Sequence, residues 1–75
     1  MKITGASSYI VLDIGGRKIK VQGERVAGGF VAEKKTMQRF EYPYEHIILT
    51  EDVKKMYIDE VINKTSNSHM VIQFI

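Results

Sequence analysis

The segment SYIVLDIGGRKIKVQ, Ser8 to Gln22, constrains the fold more than any other part of the chain. Gly15 and Gly16 separate two runs of alternating apolar residues. A two-residue turn with positive φ suits glycine, which has no Cβ to clash. A turn placed there sets Ile14 opposite Arg17, Leu12 opposite Ile19 and Ile10 opposite Val21. One face of the hairpin then gathers Ile10, Leu12, Ile14, Ile19 and Val21. The other carries Tyr9, Val11, Asp13, Lys18, Lys20 and Gln22. A slip of one residue would exchange these sets, so turn and apolar pattern specify the same register.

The alternation falters after Gly23-Glu24, where Gly23 marks a bulge or the end of the second strand. Gly28-Gly29 leads into FVAEK, a third strand, and KTMQR reads as a connection. In FEYPYEH, Phe40 to His46, proline disfavours the α region for Tyr42, so the chain is expected to be extended before Pro43. TEDVKKMYIDEVINKT has the marks of a helix: Thr50 as the cap, Glu51 and Asp52 at the positive end, and Lys64 near the opposite end. At helical spacing, Val53, Tyr57, Ile58, Val61 and Ile62 share one broad arc, expected to lie on the sheet. SNS ends the helix, and HMVIQFI reads as a final strand with Met70, Ile72 and Phe74 on one side. The expected class is α+β: an antiparallel β-sheet, built as a three-stranded meander plus a C-terminal strand, with one α-helix packed on one face.

Seventy-five residues suffice for one domain, spanning 1–75. A chain of this size buries only about 60% of its unfolded surface. Its 44% hydrophobic and 27% charged residues place it among globular rather than disordered chains. With no cysteine, neither a disulfide nor a thiolate metal site can supplement the core, which suits a reducing cytoplasm, the expected location. The apolar run Tyr9 to Leu12 is short and broken by Asp13, so neither a signal peptide nor a membrane span is expected. Asn63-Lys64-Thr65 fits the glycosylation sequon, a pattern short enough to arise by chance.

Catalysis needs a nucleophile beside a base, paired carboxylates in a cleft, or a metal set. His46 and His69 lack the close spacing of a zinc pair, and Ser66 and Ser68 beside His69 are turn residues. Gly15-Gly16 and Gly28-Gly29 lack the Lys-Ser/Thr of a phosphate loop. The expectation is a protein that is not an enzyme and takes no cofactor or metal.

Charge is unevenly distributed. Arg17 to Arg39 holds seven basic residues against two acidic, a net of +5, whereas Phe40 to Glu60 holds six acidic against two basic, a net of −4. The basic half reads either as a nucleic-acid surface or as a solvated hairpin face. No aromatic platform interleaves its charges, which favours the second reading. FEYPYEH concentrates aromatics around the only proline. Phe40 is expected in the core. Tyr42 and Tyr44, flanked by Glu41 and Glu45 and followed by His46, make a candidate contact patch for a partner protein, with Tyr44 and Glu45 at the surface.

Taken together, IKVQGERVAGGFVAEKKTMQRFEYPYEH, the acid-started helix and SHMVIQFI resemble a family of small immunity proteins from bacterial polymorphic toxin and contact-dependent growth inhibition systems. The resemblance rests on Gly23-Glu24 after the second strand, Gly29-Phe30-Val31-Ala32, and Phe40 with Pro43. It implies a single α+β domain that binds and neutralises a cognate toxin C-terminal domain by tight association in the cytoplasm. Two other readings stand beside it. One is a small nucleic-acid-binding or regulatory domain using the basic hairpin face; the other is a homo-oligomeric assembly module that pairs through an edge strand.

Overall fold

The computed structural model describes residues 1–75. Five strands, β1 (Lys2–Gly5), β2 (Tyr9–Ile14), β3 (Arg17–Val26), β4 (Gly29–Ala32) and β5 (Val71–Phe74), form one sheet in sequence order. A short 3₁₀ turn covers Lys34–Thr36, and the helix α1 spans Glu51–Thr65. The hairpin has the register its turn dictates, with Tyr9 to Ile14 opposite Gln22 to Arg17. Gly15 and Gly16 have φ of 60° and 88°, and the Asp13 carboxylate accepts the Gly16 N–H at 2.9 Å.

The sheet departs from the expected one in two ways. Lys2–Gly5 adds a fifth, antiparallel strand along β2; it offers Ile3 as its sole large apolar residue, too little for an alternation to register. The last strand pairs with β4 in parallel, so the sheet is mixed rather than purely antiparallel. A single helix between neighbouring strands carries the chain back along the sheet, and the strand that follows runs in the direction of the one before.

Gly23 does not end the second strand. β3 pairs with β2 as far as Gln22 and with β4 from Gly23 onward. Gly23 lies on the core face at the handover, where a Cβ would collide with the Val31 carbonyl oxygen and the Phe30 ring. β4 stops at Ala32, so Glu33 and Lys34 of FVAEK leave the strand, and KTMQR begins with the 3₁₀ turn. Thr36 secures that turn: its hydroxyl donates to the Glu33 carbonyl and accepts the Gln22 N–H of β3.

The buried apolar side chains pack on one side of the sheet. Ile10, Leu12, Ile19, Val21, Phe30, Ala32 and Ile72 supply the sheet's part of the core; Met37 and Phe40 come from the linker, and Tyr57 and Val61 from α1. Each fully buried aliphatic or aromatic side chain contributes about 1.5–3 kcal/mol. α1 begins where Thr50 accepts the Val53 N–H at 3.2 Å. Tyr57, Val61 and Thr65 are its buried residues, and Val53 and Ile58 pack half-buried against the same core as expected, whereas Ile62, expected on that face, is 44% exposed. Thr65 lies inward because its buried hydroxyl has partners: it donates to the Val61 carbonyl and accepts the Ile72 N–H. The final strand is shorter than HMVIQFI, with His69 and Met70 outside it, although Ile72 faces the core as expected. No helix is long and apolar enough to cross a membrane.

Candidate functional site

Phe40 anchors the candidate loop. It is buried and meets the Tyr57 ring edge-on, with centroids 6.1 Å apart. The next residue ties the loop to the sheet, because the Glu41 N–H donates to the Lys18 carbonyl of β3 at 2.8 Å. The chain then turns twice instead of running extended: the Glu41 carbonyl accepts the Tyr44 N–H at 2.9 Å, and the Tyr44 carbonyl accepts the Ile47 N–H at 3.0 Å. The Tyr42–Pro43 peptide bond inside the first turn is cis.

These turns separate residues that an extended segment would have sorted by alternation. Tyr42 is 85% exposed, and Pro43, Glu45 and His46 are exposed beside it. Glu41 is half-buried. Tyr44, expected at the surface, is also half-buried: it packs against the core, and the Arg17 guanidinium lies 5.2 Å from its ring centre. Arg17 is held in turn by Tyr57, whose hydroxyl donates to the Arg17 carbonyl at 2.9 Å. Helix, hairpin end and loop are thus linked through Tyr57, Arg17 and Tyr44. Loss of hydration raises the Tyr57 phenol above its ordinary pKa, with the Arg17 charge opposing.

One residue of this surface escaped the sequence reading. Ile48 is 82% exposed while Ile47 and Leu49 pack inward. The run Ile47-Ile48-Leu49 held the signal, since three successive apolar side chains on an irregular segment cannot all face a core on one side.

The basic block from Arg17 to Arg39 is divided among several surfaces. Lys18 and Lys20 project from the open face of the sheet, where the Lys20 ammonium lies 4.4 Å from the centre of the Tyr9 ring. Arg39 and Lys20 line a polar notch of about 200 Å³ together with Glu41. Lys34 and Lys35 face a groove of about 670 Å³ beside α1 and β5, with Lys54 and Lys55 contributed by the helix. Lys55 makes the chain's one ion pair, to Asp59 at 2.9 Å; that hydrogen bond and the carboxylate's charge raise its pKa above the ordinary value.

In comparison with known protein families, the model of the family described as Immunity protein 74 matches residues 2–75. No curated protein and no solved structure matches the chain.

Proposed function

Since the chain belongs to the Immunity protein 74 family, we propose that it protects a bacterium by binding and neutralising a cognate toxin C-terminal domain in the cytoplasm of the cell that makes both. The toxin would be of the polymorphic, contact-dependent inhibition type. The protein acts by association, without catalysis or cofactor. Its contact surface is the loop of Glu41, Tyr42, Tyr44, Glu45 and His46, extended by Ile48.

One observation carries the choice of surface. Tyr42 and Ile48, the two most exposed large apolar side chains of the protein, share a loop that is pinned to the sheet at Glu41. Exposed aromatic and aliphatic groups on a pre-ordered loop lose little freedom on binding, which is where interface energy concentrates. Glu45 beside them complements a cationic patch on the toxin. Tyr44 serves from below, holding the loop against Arg17 and the core.

The test begins with tagged protein retrieved from its native host. A co-purified domain that arrests growth when expressed alone, and ceases to do so when this protein is co-expressed, is the expected result. Recovery of nucleic acid or of the protein alone would overturn the immunity reading. With the toxin in hand, Tyr42→Ala/Glu45→Ala is expected to leave thermal unfolding nearly unchanged. It should weaken toxin binding by about 2 kcal/mol, roughly 30-fold. Full binding by that variant would move the site away from the loop while leaving the immunity function standing.

A further inference from the structure

The groove of about 670 Å³ between the 3₁₀ turn, α1 and β5 has a composition that neither the fold nor the loop surface requires. Ile58, Ile62 and Phe74 line it, and none of the three is fully buried. Around them stand four lysines, Lys34, Lys35, Lys54 and Lys55, against the two carboxylates Glu51 and Asp52. Those carboxylates lie in the first turn of α1, where they answer the positive end of the helix. Lys55 is held by Asp59, whereas Lys34, Lys35 and Lys54 have no carboxylate partner within the protein.

We propose that this groove binds an acidic segment of a partner protein, seating one bulky apolar side chain on Ile58, Ile62 and Phe74 and flanking carboxylates on Lys34, Lys35 and Lys54. The volume lies within the roughly 300–1,000 Å³ of concave ligand sites, which fits a short stretch of peptide. The unpaired lysines supply complementary charge, and their aliphatic stems widen the apolar floor. A phosphate backbone would satisfy the lysines but leave the apolar trio without a counterpart. Base stacking would also need exposed aromatic rings, and the only ring here, Phe74, is half-buried. This second surface goes beyond the loop reading: its ligand is acidic, whereas the loop offers Glu45 to a cationic one.

The groove is testable on the full chain without the toxin. Fluorescence anisotropy at low salt would compare three short labelled peptides: one acidic with a central Phe-Leu pair, the same peptide with lysine for every acid, and the acidic peptide with serine for the apolar pair. The first is expected to bind at least about tenfold more tightly than either control. Lys34→Glu/Lys54→Glu should remove that advantage, and Tyr42→Ala/Ile48→Ala should leave it intact. Ile62→Ser, a change at a half-exposed helix position, should weaken the apolar peptide and leave the serine peptide unaffected. The proposal is overturned by absence of preference among the peptides, by a preference that survives both groove variants, or by duplex DNA that binds more tightly and displaces the peptide. Failed growth protection with peptide binding intact would count against the toxin reading alone.

Discussion

Replacing Tyr57 by phenylalanine removes one hydroxyl and leaves the ring that packs edge-on against Phe40. The lost bond, 2.9 Å to the Arg17 carbonyl, joins residues 40 apart in sequence and ties α1 to the end of the β2–β3 hairpin. A hydrogen bond of this kind is worth about 0.5–1.5 kcal/mol net. Arg17 is exposed at the start of β3, so water can replace the phenol at its carbonyl, and the expected loss is about 1 kcal/mol. With a urea slope of about 1 kcal/mol/M for a chain this small, the midpoint should fall by about 1 M. The pH dependence is a second, independent readout. Burial raises the phenol's pKa in the folded state, so the folded protein holds that proton more tightly than the unfolded chain. The stabilisation is therefore complete below the unfolded value of about 10 and is lost as pH rises through the folded value. Wild-type protein should lose stability above about pH 10 more steeply than Tyr57→Phe. Urea titrations at neutral and alkaline pH measure both effects. An unchanged neutral midpoint together with identical alkaline limbs would refute the assigned bond and the burial argument.

Other substitutions probe the glycines and the helix–sheet junction. Gly16→Val puts a β-branched residue at φ 88° and should cost about 1–3 kcal/mol in urea unfolding, with an unchanged midpoint ruling out the turn. Gly23→Ala drives a methyl group into the Val31 carbonyl and the Phe30 ring, so a loss of about 1–3 kcal/mol is expected, and neutrality would argue against the close approach of β3 and β4. Thr65→Val keeps the shape but strips the buried Ile72 N–H of its acceptor. It should cost about 1–3 kcal/mol and speed hydrogen exchange at Ile72, whereas unchanged exchange would show that the bond is not formed.

The clearest parts of the fold in the sequence were those decided within a few residues. Gly15-Gly16 and the flanking alternation specified a register that the structure reproduces pair by pair, because period two and the turn leave one solution. Thr50 and the acids after it marked the helix start for an equally local reason, the unsatisfied N–H groups of the first turn. Phe40 was legible as core for its size and position. The strand β1 was not, since Lys-Ile-Thr-Gly is a strand only where β2 offers an edge to pair with. The helix's inward face was legible at Val53, Tyr57, Ile58 and Val61 but not in its last turn: Ile62 is the more apolar residue, yet Thr65 is the buried one, its hydroxyl satisfied by Val61 and Ile72. The candidate site divides in the same way. Composition singled out FEYPYEH, yet only the two turns and the Arg17 contact set Tyr44 inward and left Tyr42 outward, with Ile48 exposed farther along the loop. Local chemistry determines which residues turn, pair or cap. Which side of an irregular loop meets water depends on what other elements place beneath it, and those contacts join residues too far apart for any pattern along the chain to record.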